Sequence, residues 1–134
     1  MKQFSLASRM LTLRGEFYPT GFLFVMVPGL DDARKIEAAL LELGIQGDDI
    51  MLLLPQVVLD KIVPTAEHRG DTMPSVGTES DTVRKYAALA SQGHHAMMIR
   101  AGSTEHTEHV MRVVRKVPFS IAERYRFLVI EDLE

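Results

Sequence analysis

Cysteine is absent from the 134 residues, which excludes disulfides, Cys-ligated zinc, iron–sulfur clusters and thiol nucleophiles. The same absence fits a reducing compartment. Basic charge is scarce too. Fifteen Lys and Arg stand against 18 Asp and Glu, for a formal net charge of −3, so the strongly positive footprint of a nucleic-acid binder is missing. No apolar run approaches the roughly 18 residues of a spanning helix, and no membrane segment is expected. Nine glycines and six prolines are too few for a low-complexity chain. Phosphate-cradling loops are missing as well: Pro28-Gly29-Leu30-Asp31 offers one glycine where several backbone amides are needed. There is no Gly-x-Ser-x-Gly nucleophile elbow.

What remains is ordinary globular composition, 46% apolar and 25% charged. The length makes one domain of residues 1–134, able to bury something near two thirds of its unfolded surface. Met1 to Gly15 carries Lys2, Arg9 and Arg14 and no acid, with Leu6, Met10 and Leu13 at helical spacing. A secretory signal would need a continuous apolar core. The stretch reads as an N-terminal arm, residues 1–17, packing on the domain or on a neighbour, with a mitochondrial-type presequence as the alternative.

The apolar run Phe22 to Val27, between Gly21 and Pro28-Gly29, predicts a strand buried on both faces. Asp31 or Asp32 is the expected cap of a helix whose stripe is Ala33, Ile36, Leu40 and Leu43, ended by Gly44. Ile50 to Leu54 predicts a second strand. A short helix over Val57–Val63 and a polar loop over Pro64–Thr78 follow. The capping pattern Thr78-Glu79-Ser80-Asp81 then opens a helix with the stripe Val83, Tyr86, Ala87 and Ala90. Ala96 to Ala101 repeats the strand signal. Ser103 or Thr104 caps a helix with the stripe Thr107, Val110, Met111, Val114 and Val117, and Tyr125 to Ile130 reads as the last strand.

The two halves match. Gly21 aligns with Gly93, the stripe Ala33-Ile36-Leu40 with Thr107-Val110-Val114, and Met51 to Leu54 with Phe127 to Ile130. The predicted fold is therefore α+β: a ferredoxin-like duplicated β-α-β sandwich, with a four-stranded antiparallel sheet ordered 4-1-3-2 and an extra helix between the repeats. The repeats occupy residues 21–54 and 93–131, and residues 55–92 hold the loop and inter-repeat helix. A small parallel α/β sheet is the alternative, because both inner strands are apolar on both faces. Phe22, Phe24 and Met26 point one way and Leu23, Val25 and Val27 the other. With helices on one face, the second face must meet the inter-repeat helix, the arm or another subunit. Homo-oligomerisation is the expectation drawn from it.

An apolar strand, a helix ending in Leu43-Gly44-Ile45, Asp48-Asp49-Ile50 before a second strand, and an acidic helix ending Ser91-Gln92-Gly93 form a recognisable succession. Over Gly21–Leu54 and Glu79–Val117 it resembles the heat-induced stress protein (YflT-like) family of small bacterial proteins. The resemblance implies a cytoplasmic bacterial protein linked to stress, with no catalytic motif. The stretch Leu30 to Gly47 also looks like the first helix of PII signal proteins, without a counterpart of their nucleotide-binding segments.

Four of the five histidines lie between residues 94 and 109. His94 and His95 alternate across a strand and cannot ligate one ion side by side. His106 and His109, with Glu105 and Glu108, read as a solvated helix face. No metal or other cofactor is expected. In the ferredoxin-like arrangement one end of the sheet gathers Asp31, Asp32, His94, His95, Arg124 and Tyr125, a mixture suited to a small ligand or to general base work. The other end gathers Asp48, Asp49, Arg100 and Glu131, with a salt bridge expected between Arg100 and Glu131. The leading functional expectation is a non-enzymatic, self-associating module that senses a small ligand. The alternative is a small enzyme of the dimeric α+β barrel type with a pocket between sheet and helices. A buried polar group facing that pocket would favour the enzyme.

Overall fold

A computed structural model of the chain describes residues 1–12, 15–67, 78–127 and 129–134. The apolar run forms β2 (Phe22–Val27), every residue of it buried. The short β1 (Lys2–Gln3) precedes it. α1 (Leu30–Glu42) buries Ala33, Ile36 and Leu40, the predicted stripe. Its cap differs from expectation. Gly29 occupies the N-cap, and the Asp32 side chain reaches back to accept from the Gly29 amide at 3.2 Å. β3 (Ile50–Leu53) follows.

Helix then runs unbroken from Pro55 to Glu67, as α2 (Pro55–Val57), a widened π segment (Val58–Ile62) and α3 (Val63–Glu67). The expected break at Pro64 does not occur. Proline removes one donor from the helical ladder, and the widened turn immediately before Pro64 absorbs that loss. The predicted loop thus begins later, and residues 68–77 lie outside the described residues. α4 (Thr78–Ser91) buries Val83, Tyr86 and Ala90. The side chains of its expected capping box, Thr78 to Ser80, lie outside the described residues. β4 (His95–Arg100) and α5 (Thr104–Val114) come next, and Ser103 Oγ caps α5 by accepting from the His106 amide at 3.0 Å.

The last strand is misplaced by the sequence reading. The chain ends in a hairpin, β5 (Ile121–Arg126) and β6 (Val129–Asp132), with Arg126 paired to Val129. The apolar run Phe127–Ile130 straddles the turn, and Phe127 is 81% exposed. The partner of β3 in the internal repeat is therefore β5, not Phe127–Ile130.

The architecture is α+β around a six-stranded mixed sheet in the order β1-β3-β4-β2-β5-β6. The sheet has six strands where four were expected, and it is mixed rather than purely antiparallel. β1 adds in parallel to β3 and β6 antiparallel to β5, and the pairings among β3, β4, β2 and β5 are all antiparallel.

Helices cover both faces rather than one. On the first face Leu23, Val25, Val27, Met97 and Ile99 pack with Ile36 and Leu40 of α1 and Val110 and Met111 of α5. On the second face Phe22, Phe24, Met26 and Met98 pack with Val58, Ile62, Val83 and Tyr86. The arm completes that cover. Phe17 stands edge-on to Phe24 at 5.8 Å and to Tyr125 at 5.9 Å, and its amide donates to Thr65 Oγ1 at 3.2 Å. Both apolar faces of β2 and β4 are thus satisfied within one chain, the first by α1 and α5 and the second by the inter-repeat helices and the arm.

Candidate functional site: a cationic groove

The end of α1 is built to turn sharply. Gly44 has φ +90°, a left-handed conformation that glycine adopts without penalty. The Ile45 amide donates to the Leu40 carbonyl at 3.1 Å and the Gly44 amide to Leu41 at 3.0 Å, the paired bonds of a Schellman cap. The cap lays residues 43–46 against the flank of α5. On α5 the residues three and four apart share a side, so His106, His109, Arg112 and Val113 follow one another along that flank, with Lys116 beyond. Between loop and helix lies a groove of about 660 Å³, lined by Leu43, Gly44, Ile45, Gln46, Asp49, His106, His109, Arg112, Val113 and Lys116. Small-molecule sites span roughly 300–1,000 Å³.

The lining has a distinct chemistry. Leu43, Ile45 and Val113 supply apolar wall. Two imidazoles, a guanidinium and an ammonium supply N–H donors. The one carboxylate, Asp49, is already engaged by Arg100 Nε at 3.3 Å. Glu108 turns to Arg115 at 3.4 Å rather than to the imidazoles. Among the described residues no Ser, Thr, Cys or Tyr lines the groove. By sequence alone His106 and His109 read as a solvated face. The Gly44 cap folds a loop against that face, a contact between residues about 60 positions apart that local pattern does not encode.

The six residues expected at one end of the sheet are divided between both ends. His95 pairs with Val27, whereas Arg124 pairs with Leu23, and four residues of strand separate those rungs by about 13 Å. His94 and His95 lie with Asp31 and Asp32 at the Val27 end. His94 Nδ1 is hydrogen-bonded to Ser120 Oγ at 2.7 Å, and Asp32 serves the α1 cap. Arg124 and Tyr125 lie at the opposite end, because β5 begins at Ile121 and not at Tyr125. There Arg124 Nη1 donates to Thr104 Oγ1 at 3.1 Å and pairs with Glu131 at 3.6 Å. Arg124 and Tyr125 line a shallow recess of about 260 Å³. The expected Arg100–Glu131 bridge is replaced: Arg100 takes Asp49, and its guanidinium lies 4.8 Å from the Phe22 ring centre.

A second cluster lies on the other face of the sheet. Glu123 on β5 is 1% exposed and faces Asp132 across the hairpin. Burial pushes its carboxyl up to about 8, and its hydrogen bond to Asp132 adds to the shift. Asp132 is exposed and is held below its ordinary value by accepting that bond. Beside them the Tyr86 and Tyr125 hydroxyls are 2.8 Å apart, and burial drives Tyr86 well above the usual phenol range. Sequence reasoning missed Glu123 because it lay outside the expected last strand. The available signal was an acid at an inward position of Ile121-Ala122-Glu123-Arg124-Tyr125.

No family model matches this chain, and no curated protein or solved structure is significantly similar to it. Among the described residues no helix is long and apolar enough to cross a membrane.

Proposed function

We propose that this chain is a small-ligand-binding module without catalytic activity, and that the groove between the α1 cap and α5 takes a small organic anion with an apolar portion. The observation that carries the reading is the groove itself: His106, His109, Arg112 and Lys116 over an apolar wall, with Asp49, the one carboxylate among the described lining residues, already paired to Arg100. The inner strands β3-β4-β2-β5 are antiparallel, and numbered within the two repeats they read 4-1-3-2 from β5 to β3. That order supports a ferredoxin-like assignment, a fold that serves many functions and so leaves the argument to the site. A cytoplasmic, stress-linked role in bacteria belongs to the proposal through the sequence resemblance alone. So does self-association, which draws support from exposed Leu43 and Phe127, 57% and 81% accessible, rather than from an uncovered sheet.

Calorimetry with octanoate, inorganic phosphate and octylamine tests the reading. Octanoate should bind, octylamine should not, and Arg112→Ala should weaken octanoate by about tenfold, equivalent to about 1.4 kcal/mol. Equal binding of octanoate and octylamine, or an unaffected Arg112→Ala, would overturn it. One observation favours the enzyme alternative: the second sheet face carries a buried acid and two phenols rather than apolar groups alone. Recovery of a chemically altered ligand after incubation with the protein would shift the balance to that alternative.

A further inference from the structure

We infer that Glu123, together with Asp132 and the Tyr86–Tyr125 pair, forms a buried proton-binding centre, and that its bound proton clasps β6 to the rest of the sheet. The centre lies on the sheet face opposite the cationic groove and stands independently of it.

The geometry carries the inference. Two acids sit directly opposite one another at the rung Glu123–Asp132, an arrangement that is repulsive when both are ionised. Their environments differ. Asp132 is exposed, whereas Glu123 Oε1 is buried without a hydrogen-bond partner among the described residues. A buried carboxylate with an oxygen left unpartnered is disfavoured in its ionised form. A single proton resolves both problems: held on Glu123 and donated to Asp132, it turns a repulsive rung into a charge-assisted hydrogen bond.

The groups around Glu123 fit this state. Phe24 of β2 sits opposite it across the sheet and brings no charge. From α4 come Lys85, which favours the ionised form weakly, and the neutral Tyr86. From its own strand comes Tyr125, bonded to Tyr86 and flanked edge-on by Phe17 of the arm and by Tyr18. Lys85 also acts on Asp132, favouring its ionised form.

The sign of the linkage follows. The carboxyl of Glu123 titrates near 8 in the closed hairpin and near its ordinary 4.5 once exposed. Between those values the closed state holds one more proton than the open state, so opening becomes easier as pH rises. The change is at most about tenfold per pH unit.

Hydrogen exchange of the β6 amides in the full chain, corrected for intrinsic exchange rates, is the test. In wild type, protection should fall by up to about tenfold per unit between about pH 5 and about pH 8, then level off. Glu123→Gln supplies a neutral carboxamide of the same shape, so its protection should be flat across that range. The difference between the two proteins isolates Glu123 from the five histidines. Infrared spectroscopy of wild type gives a second readout that needs no variant: a protonated carboxylic acid band should be present at neutral pH and vanish above about pH 9. An equal slope in Glu123→Gln, or absence of that band at neutral pH, would overturn the inference.

Discussion

The two buried hydroxyls of Tyr86 and Tyr125 show how closely single polar atoms are accounted for on the second sheet face. The Tyr86 ring lies flat on Phe24, with centres 4.0 Å apart, and its hydroxyl is satisfied by Tyr125 at 2.8 Å. Tyr125→Phe keeps the ring but strands the Tyr86 hydroxyl, which costs about 1–3 kcal/mol when a buried donor loses its partner. Tyr86→Phe/Tyr125→Phe removes both partners, so its loss measured by urea unfolding should be smaller than the sum of the single losses. Tyr86 was legible in the sequence because it falls on a helical stripe with Val83 and Ala90. Glu123 was not, because an acid between Ala122 and Arg124 looks like surface until the hairpin folds it inward. Arg124 stood out in the sequence as a site candidate, but its partners did not: its pairing with Glu131 and Thr104 depends on a strand that starts at Ile121.

Elements with clear punctuation were read correctly, and those without it were not. β2 is bounded by Gly21 and Pro28-Gly29, and α1 stops at Gly44, where the backbone needs φ +90°. The helix from Pro55 to Glu67 and the β5–β6 hairpin lack such signals, since Pro64 sits inside the helix and no glycine marks the hairpin turn. The groove depends on the Gly44 cap. No atom lies within 4 Å of a Cβ built at Gly44, so Gly44→Ala meets strain in the backbone alone. It should cost about 1 kcal/mol in chemical denaturation and also weaken anion binding at the groove, because residues 43–46 are one of its walls. Ser103→Ala offers the comparison at the other wall. It removes the Ser103 cap of α5, and a loss of about 1 kcal/mol is expected, with the groove's side chains unchanged. Thermal unfolding together with octanoate titration of both variants separates wall geometry from helix stability.

Across the whole molecule the decisive feature is a sheet that is apolar on both faces and covered on both within one chain. The alternation of β2 announced two buried faces, but it did not say what would cover the second. That depended on contacts remote in sequence, such as the Phe17 amide on Thr65 and the β1 strand beside β3. Within the arm Phe17 packs on Phe4, and it joins the arm to Phe24 and Tyr125 of the sheet. Phe17→Ala should therefore act in two ways. Truncating a buried phenylalanine costs about 3–5 kcal/mol. The loosened arm would also uncover the rings of Phe24 and Tyr125, and a large exposed apolar patch promotes association. Wild type, with that face closed, should associate only through surfaces such as Leu43 and Phe127, and its light scattering is the reference for the variant. Phe17→Ala should gain mass with concentration and bind a hydrophobic dye before its unfolding transition. If the variant is destabilised yet neither associates nor binds dye, the remaining helices α2, α3 and α4 close the face without the arm. The arm would then contribute packing energy to the fold and no protection against self-association.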